Sequence, residues 1–214
     1  MSTESAIDTL RQAIVDGDLL PNERLVEADL SRTYGFKRAN IRTALALLEQ
    51  EGLVAREPNR GARVRLIDTD EALEILDARE ALEGMAARHA AVNATEADIA
   101  NLRSVITGMR TLLDQGDLMG ASDASGVLHG ELLRIARHKT VERLISTLKS
   151  QTVRFQYRTI LVPGRPEQAY EEHTAIVEGI AANDPDAAEK AMRVHLQRIK
   201  DALRRDRESR GRVA

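Results

Sequence analysis

Histidine is scarce in this chain, with five copies at positions 89, 129, 138, 173 and 195, and two of them are spaced so as to meet. His173 and His195 lie 22 residues apart, and Asp184, at the midpoint, belongs to an Asn183-Asp184-Pro185 turn. In an antiparallel helix pair folded at that turn, each histidine stands about 16 Å from the corner at 1.5 Å per residue, so the two rings share one height. His173 shares a helical side with Ala169, Ile176, Val177 and Ile180, and His195 with Ala188, Ala191, Met192 and Ile199. Both therefore border an apolar seam. His129, between Val127-Leu128 and Leu132-Leu133, lies on or beside another apolar stripe. Neutral imidazoles converging inside a bundle are donors for a divalent ion such as zinc, nickel or manganese. The alternative is three core-edge histidines satisfied by backbone or carboxylate. His89 lacks comparable support, and His138 falls in a helix break, where a capping role fits better.

A second constellation suits a polyanion. From Lys37 to Leu48 the chain reads as a helix with Ile41, Ala44, Leu45, Leu47 and Leu48 on one side and Arg38, Ala39, Arg42, Thr43 and Ala46 on the other. The second side is small apart from two arginines one turn apart, so it approaches a partner closely while offering two fork-shaped donors. Glu51-Gly52 stops this helix, and two short runs around Pro58-Asn59-Arg60-Gly61 read as a β-hairpin. Residues 32–65 hold eight Lys or Arg against three Glu, whereas the whole chain is −3. Positive charge is thus concentrated on one motif, the footprint of a phosphate-binding surface.

Other elements position these two groups. Ile7, Leu10, Ile14 and Val15 form one side of a first helix that Gly17 ends, residues 19–25 form a turn, and a short helix from about Val26 to Tyr34 stops at Gly35. Helix, helix, helix and hairpin is the order of a winged helix-turn-helix. After a linker at residues 67–71, the pattern is helical to the end, in six stretches of about 72–90, 96–115, 117–137, 141–161, 167–182 and 186–207, with Arg204 to Arg212 expected to fray. The fold class expected is mainly α, with residues 1–67 a winged helix-turn-helix and residues 68–214 an all-helical bundle.

Composition excludes several functions. With no cysteine there is neither a disulfide nor a thiolate metal site, and a cytoplasmic location is expected. No apolar run approaches the ~20 residues of a membrane helix, so no membrane partner is expected. Aromatic content of 2% without Trp argues against a stacking platform for single strands.

The motifs of residues 6–66 resemble the DNA-binding domain of GntR-type transcription regulators. They are Gly17-Asp18-Leu19-Leu20-Pro21-Asn22-Glu23-Arg24-Leu25, Gly35-Phe36-Lys37-Arg38-Ala39-Asn40-Ile41-Arg42-Thr43-Ala44-Leu45, Leu48-Glu49-Gln50-Glu51-Gly52-Leu53-Val54 and Asn59-Arg60-Gly61-Ala62-Arg63-Val64. Asn22 replaces the family's turn glycine, Lys37 stands where Ser or Thr is usual, and Ala39-Asn40 replaces a Thr-Pro-like pair. Lys37, Arg38, Asn40, Arg42, Arg60 and Gly61 are the expected DNA-binding residues. Arg38 and Arg42 are expected to read guanine edges, with Lys37 and Arg60 on the backbone or minor groove. A homodimer on a near-palindromic double-stranded operator follows, because one recognition helix spans too few base pairs.

Residues 70–207 resemble the FCD ligand-binding domain of the FadR-like branch of that family. The motifs are Leu76-Asp77-Ala78-Arg79-Glu80-Ala81-Leu82-Glu83, Leu128-His129, Glu171-Glu172-His173-Thr174-Ala175-Ile176 and Met192-Arg193-Val194-His195-Leu196. The resemblance implies a small organic acid effector and a divalent metal on His129, His173 and His195. Metal-binding members typically add an aspartate four residues before the first of these histidines, where this chain has Ser125. Water, an effector carboxylate, or a domain without metal are the readings this leaves. Arg79, Arg154, Tyr157 and Arg158 are candidate effector contacts, and pairing of these arginines with Glu80, Glu83 or Glu172 is the alternative. Three histidines with open positions also describe a catalytic centre, yet no general base is paired with them by spacing, so an enzyme is not expected.

Overall fold

The computed structural model describes residues 2–57 and 61–211, with only the backbone described at 57, 153–158, 210 and 211. Two compact units are present, Met1–Asp68 with Lys149–Val153, and Thr69–Leu148 with Arg154–Ala214.

In the first unit, α1 (Thr3–Asp16) is capped by the Ser2 side chain, which accepts from the Ser5 N–H, and ends at Gly17 in the left-handed conformation. Helix α2 (Glu27–Tyr34) leads through a short turn into α3 (Arg38–Gln50), and β2 (Val54–Glu57) and β3 (Gly61–Val64) pair antiparallel with Val54 opposite Val64. Leu10, Ile41, Leu45 and Leu48 are fully buried between these elements. Each such side chain contributes about 1.5–3 kcal/mol of transfer free energy. Leu47 differs from its expected place on the packed side, since it is 36% exposed.

The stretch read as a turn over 19–25 also holds a two-residue strand, β1 (Arg24–Leu25), which pairs with β3 and makes the sheet order β1-β3-β2. A strand of two residues has no periodicity to read, and its pairing to a distant segment in register, Leu25 with Ala62 and Arg24 with Arg63, is a tertiary event. Asn22 sits at the corner with φ 65°, which explains why it can stand in for a turn glycine. Its N–H donates to the Val64 carbonyl at 2.9 Å, and its side-chain oxygen accepts from Arg63 Nη1 at 2.7 Å. Asn22→Val is therefore expected to cost about 1–3 kcal/mol through backbone strain, and Asn22→Gly to stay near wild type. The urea midpoint of the two variants checks this; a tolerated valine would contradict it.

The second unit is wholly helical among the described residues, with α4 (Thr69–Asn93), α5 (Glu96–Asp114), α6 (Leu118–Ala136), α7 (Lys139–Ile160), α8 (Arg165–Ala181) and α9 (Pro185–Gly211). Thr95 and Asp98 form a reciprocal capping box at the start of α5. His138 caps α7, its ring nitrogen accepting from the Val141 N–H at 3.4 Å. No helix among the described residues is long and apolar enough to cross a membrane. Helix α9 continues to Gly211, past the point where fraying was expected, and Arg207 pairs with Asp70 near its end.

The α8–α9 corner sets the height of the histidines. Asn183 adopts φ 51°, and Asp184 caps α9 by accepting from the N–H groups of Asp186 and Ala187 at 3.1 and 3.0 Å. Just before the corner the helices nearly touch, because a Cβ on Gly179 would lie 2.8 Å from the Ala188 backbone nitrogen. Only glycine permits that approach.

Candidate functional site

His129 on α6, His173 on α8 and His195 on α9 are all buried, and one ligand atom from each lies within 4.8 Å of the others. The rings of His173 and His195 have centroids 4.3 Å apart, so the residues matched in height by the corner do face each other. Nε2 of His129 and Nε2 of His173 are 3.3 Å apart.

The outer nitrogens are held by carboxylates. His129 Nδ1 donates to Glu83 Oε2 at 2.6 Å, and His195 Nδ1 donates to Oε2 of the ionised form of Glu172 at 2.8 Å, since an ionised carboxylate only accepts. In a neutral imidazole this leaves Nε2 bare, and so each ring presents a lone pair to the interior. Carboxylate, histidine and ion in series is the arrangement by which proteins orient metal-binding imidazoles. Burial, together with the neighbouring His173 and His129, holds His195 well below the usual imidazole range, so its ring is uncharged at neutral pH.

Each carboxylate in turn carries an arginine. Arg79 Nε donates to Glu83 Oε1 at 2.7 Å, and Arg165 Nη2 donates to Glu172 Oε2 at 2.8 Å. Burial pushes Glu172 up to about 7 against the opposing pull of Arg165, and lowers Arg165 from its ordinary value. Arg165 Nη1 and Glu172 Oε1 are buried without a hydrogen-bond partner among the described residues. Ser125, one turn before His129, places its hydroxyl oxygen 3.2 Å from His173 Nε2.

Arg165 had no role assigned from sequence, and Glu83 and Glu172 entered there only as alternative partners of the candidate effector arginines, a pairing that Arg79 makes with Glu83. The available signal was charge at positions of an apolar stripe, with Glu83 four residues after Arg79 and Glu172 directly before His173. Arg79 engages Glu83 and thereby supports His129 indirectly. The side chains of the other effector candidates, Arg154, Tyr157 and Arg158, lie outside the described residues.

On the first unit, Lys37, Arg38, Ala39, Arg42 and Thr43 are exposed along one side of α3, and Asn40 is half-buried. Lys37 is the residue before the helix and Arg38 its first residue, at the end that points its N–H groups outward. Arg42 is engaged by Glu27, with Nη2 to Oε2 at 2.8 Å and Nε to Oε1 at 3.0 Å, and this pairing holds the Glu27 carboxyl below its usual range. Exposed pairs of this kind exchange at little cost, so Glu27 parks the Arg42 fork without sequestering it. Gly61 opens β3 with φ 84° and is exposed, and Arg60 lies outside the described residues.

Residues 2–64 match the family described as bacterial regulatory proteins, gntR family, and residues 74–198 match the FCD domain. The chain is 28% identical over 199 residues to the HTH-type transcriptional repressor RspR of Escherichia coli (strain K12), covering 93% of this chain and 87% of that protein. It is 28% identical over 236 residues to the putative L-lactate dehydrogenase operon regulatory protein of the same strain, covering 99% and 90%. Among solved structures, E. coli McbR/YncC is similar in fold at a TM-score of 0.80 and 19% identity, over 96% of this chain and 98% of that one. The first of these is named as a transcriptional repressor and the second as a regulatory protein of an operon. The histidine cluster lies within the FCD match and the basic helix within the gntR match, and the chain belongs to the FCD family as a transcription regulator with a gntR-type DNA-binding domain.

Proposed function

We propose that this regulator is a cytoplasmic homodimeric repressor whose helical domain, residues 68–214, binds a small organic acid through a divalent cation, while residues 1–67 bind a near-palindromic operator. The observation that carries the effector half is the buried set of three imidazoles whose Nδ1 atoms, at His129 and His195, are pinned by Glu83 and Glu172. The donor set fits zinc, nickel or manganese, because bare imidazole nitrogens are the common protein ligand for such ions and 3.3 Å is about the separation two ligands of one tetrahedral ion keep. A bound cation supplies a Lewis acid that anchors a carboxylate oxygen. The chain's own residues do the rest: Glu83 and Glu172 fix the tautomers, and Arg165 Nη1 and Glu172 Oε1 offer an unmet donor and acceptor to a polar ligand.

In the DNA-binding half, Arg38 and Arg42 read base edges while Lys37 and Arg60 hold the sugar-phosphate backbone or minor groove, and Asn40 and Gly61 belong to the same surface. The exposed basic side of α3 supports this assignment, as does the description of the relative RspR as a repressor. The acid acts as a switch only through unequal affinity for the operator-competent and released arrangements of the dimer.

Metal content of the purified chain and of His173→Ala tests the reading. About one ion per chain is expected in the wild type and loss of it in the variant, with operator affinity in the wild type changing on addition of a small carboxylic acid. No uptake after reconstitution with zinc, nickel and manganese would sink the metal assignment. A second reading, in which an acyl or other organic ligand binds the domain directly, then takes its place, favoured by the neutral hydroxyl of Ser125 beside the rings.

A further inference from the structure

We infer that at this cluster a divalent cation and an anionic oxygen ligand bind as a coupled pair, because the described shell around His129, His173 and His195 has no negative charge left over to receive a cation alone. The inference rests on the metal reading above and adds to it a rule about affinity. Three imidazoles make up the candidate ligand group, and no carboxylate is part of it among the described residues. The two carboxylates that do touch the rings are already balanced. Glu83 faces Arg79 at 2.7 Å and Glu172 faces Arg165 at 2.8 Å. Both of those arginines are largely buried, with side chains 11% and 3% exposed. Ser125 brings a neutral oxygen.

A dication entering such a shell gives up its hydration and finds only dipoles around it, and an uncompensated buried charge is strongly disfavoured. A carboxylate that enters with it cancels part of that charge. The guanidinium of Arg165, which holds Glu172 beside His195, keeps its Nη1 buried and without a hydrogen-bond partner among the described residues. Each ligand therefore raises the affinity of the other, and by thermodynamic reciprocity the factor is the same in both directions. Ser125 is the position that sets the coupling. It lies four residues before His129, one helical turn away on the same face, and its hydroxyl already sits 3.2 Å from His173 Nε2. A carboxylate built there would supply the missing negative charge permanently and make the cation independent of the anion.

The test uses the full-length chain stripped of metal, with zinc affinity read by competition against a chromophoric chelator. It is run in perchlorate buffer with and without saturating acetate, at constant ionic strength, on wild type, Ser125→Asp and Ser125→Asn. For the wild type, acetate is expected to tighten zinc binding by about 5–150-fold, the usual range of a coupling between two sites. Ser125→Asp is expected to bind zinc more tightly than wild type without acetate and to lose the acetate effect, whereas Ser125→Asn keeps it. Zinc binding in the wild type that is indifferent to acetate would overturn the coupling and leave the metal reading standing. No zinc binding by wild type or either variant, with or without acetate, would overturn both. If Ser125→Asp fails to fold, the wild-type comparison alone still decides.

Discussion

Replacing Glu172 with alanine is expected to cost about 3–5 kcal/mol of folding stability, the range found when one partner is removed from a buried ion pair. The reason is the state in which the substitution leaves its neighbours. Arg165 is 3% exposed and has Glu172 as its ion-pair partner, and Nη1 already lacks a hydrogen bond among the described residues. Without the carboxylate a guanidinium would remain in a low-dielectric interior, and His195 Nδ1 would lose its acceptor as well. Glu172→Gln retains an acceptor oxygen and should fall between the two. The same variant bears on function, because the outer hydrogen bond orients the ring: loss of such a partner weakens metal binding by about 10–100-fold. Urea denaturation of the metal-free proteins gives the stability term, and chelator competition the affinity term. A Glu172→Ala variant within about 1 kcal/mol of wild type would mean that the charge on Arg165 is relieved by another route.

Alanine at Arg38 or Arg42 is expected to weaken operator binding on the order of 10–100-fold per recognition helix, with the effect doubled in logarithm for a dimer that carries the change twice. Both side chains stand on the exposed side of α3, one turn apart, at its N-terminal end. Removing a bidentate hydrogen-bond pair to guanine also relaxes the preference at that base pair, so the two variants should differ from wild type in specificity as well as affinity. Lys37→Ala is the contrast. Taking a cation away from a phosphate lowers affinity evenly across sequences and reduces the salt slope by about one. Glu27 adds a refinement, since it must release Arg42 before the fork can meet a base. Fluorescence anisotropy over a series of salt concentrations and single-base operator changes separates these outcomes. Wild-type affinity in both arginine variants would show that the base-reading side chains are elsewhere.

Much of this architecture was legible because it is written in local period and punctuation. The apolar spacing of Ile41, Ala44, Leu45 and Leu48 marks α3, and Gly17 and Gly35 close α1 and α2 with positive φ. The Asn183-Asp184-Pro185 corner, placed halfway between His173 and His195, was enough to bring their rings to one height, since helical rise is constant. Asn22 shows the limit of motif matching, as it departs from the family's glycine in type while keeping its left-handed backbone.

By itself, then, the sequence determined the order of the helices, the basic side of α3 and the three histidines, because these depend on residue type and on short-range spacing. What the tertiary structure alone decided was which partners those residues have. Glu83 meets His129 across 46 positions, and Glu172 on α8 meets His195 on α9 while taking Arg165 as its counter-ion. Arg42 pairs with Glu27 on the neighbouring helix, and β1 joins a sheet whose other strands lie far along the chain. A charge buried in a packed interior is tolerable only beside its complement, and which complement reaches it depends on how the helices pack, not on the number of residues between them.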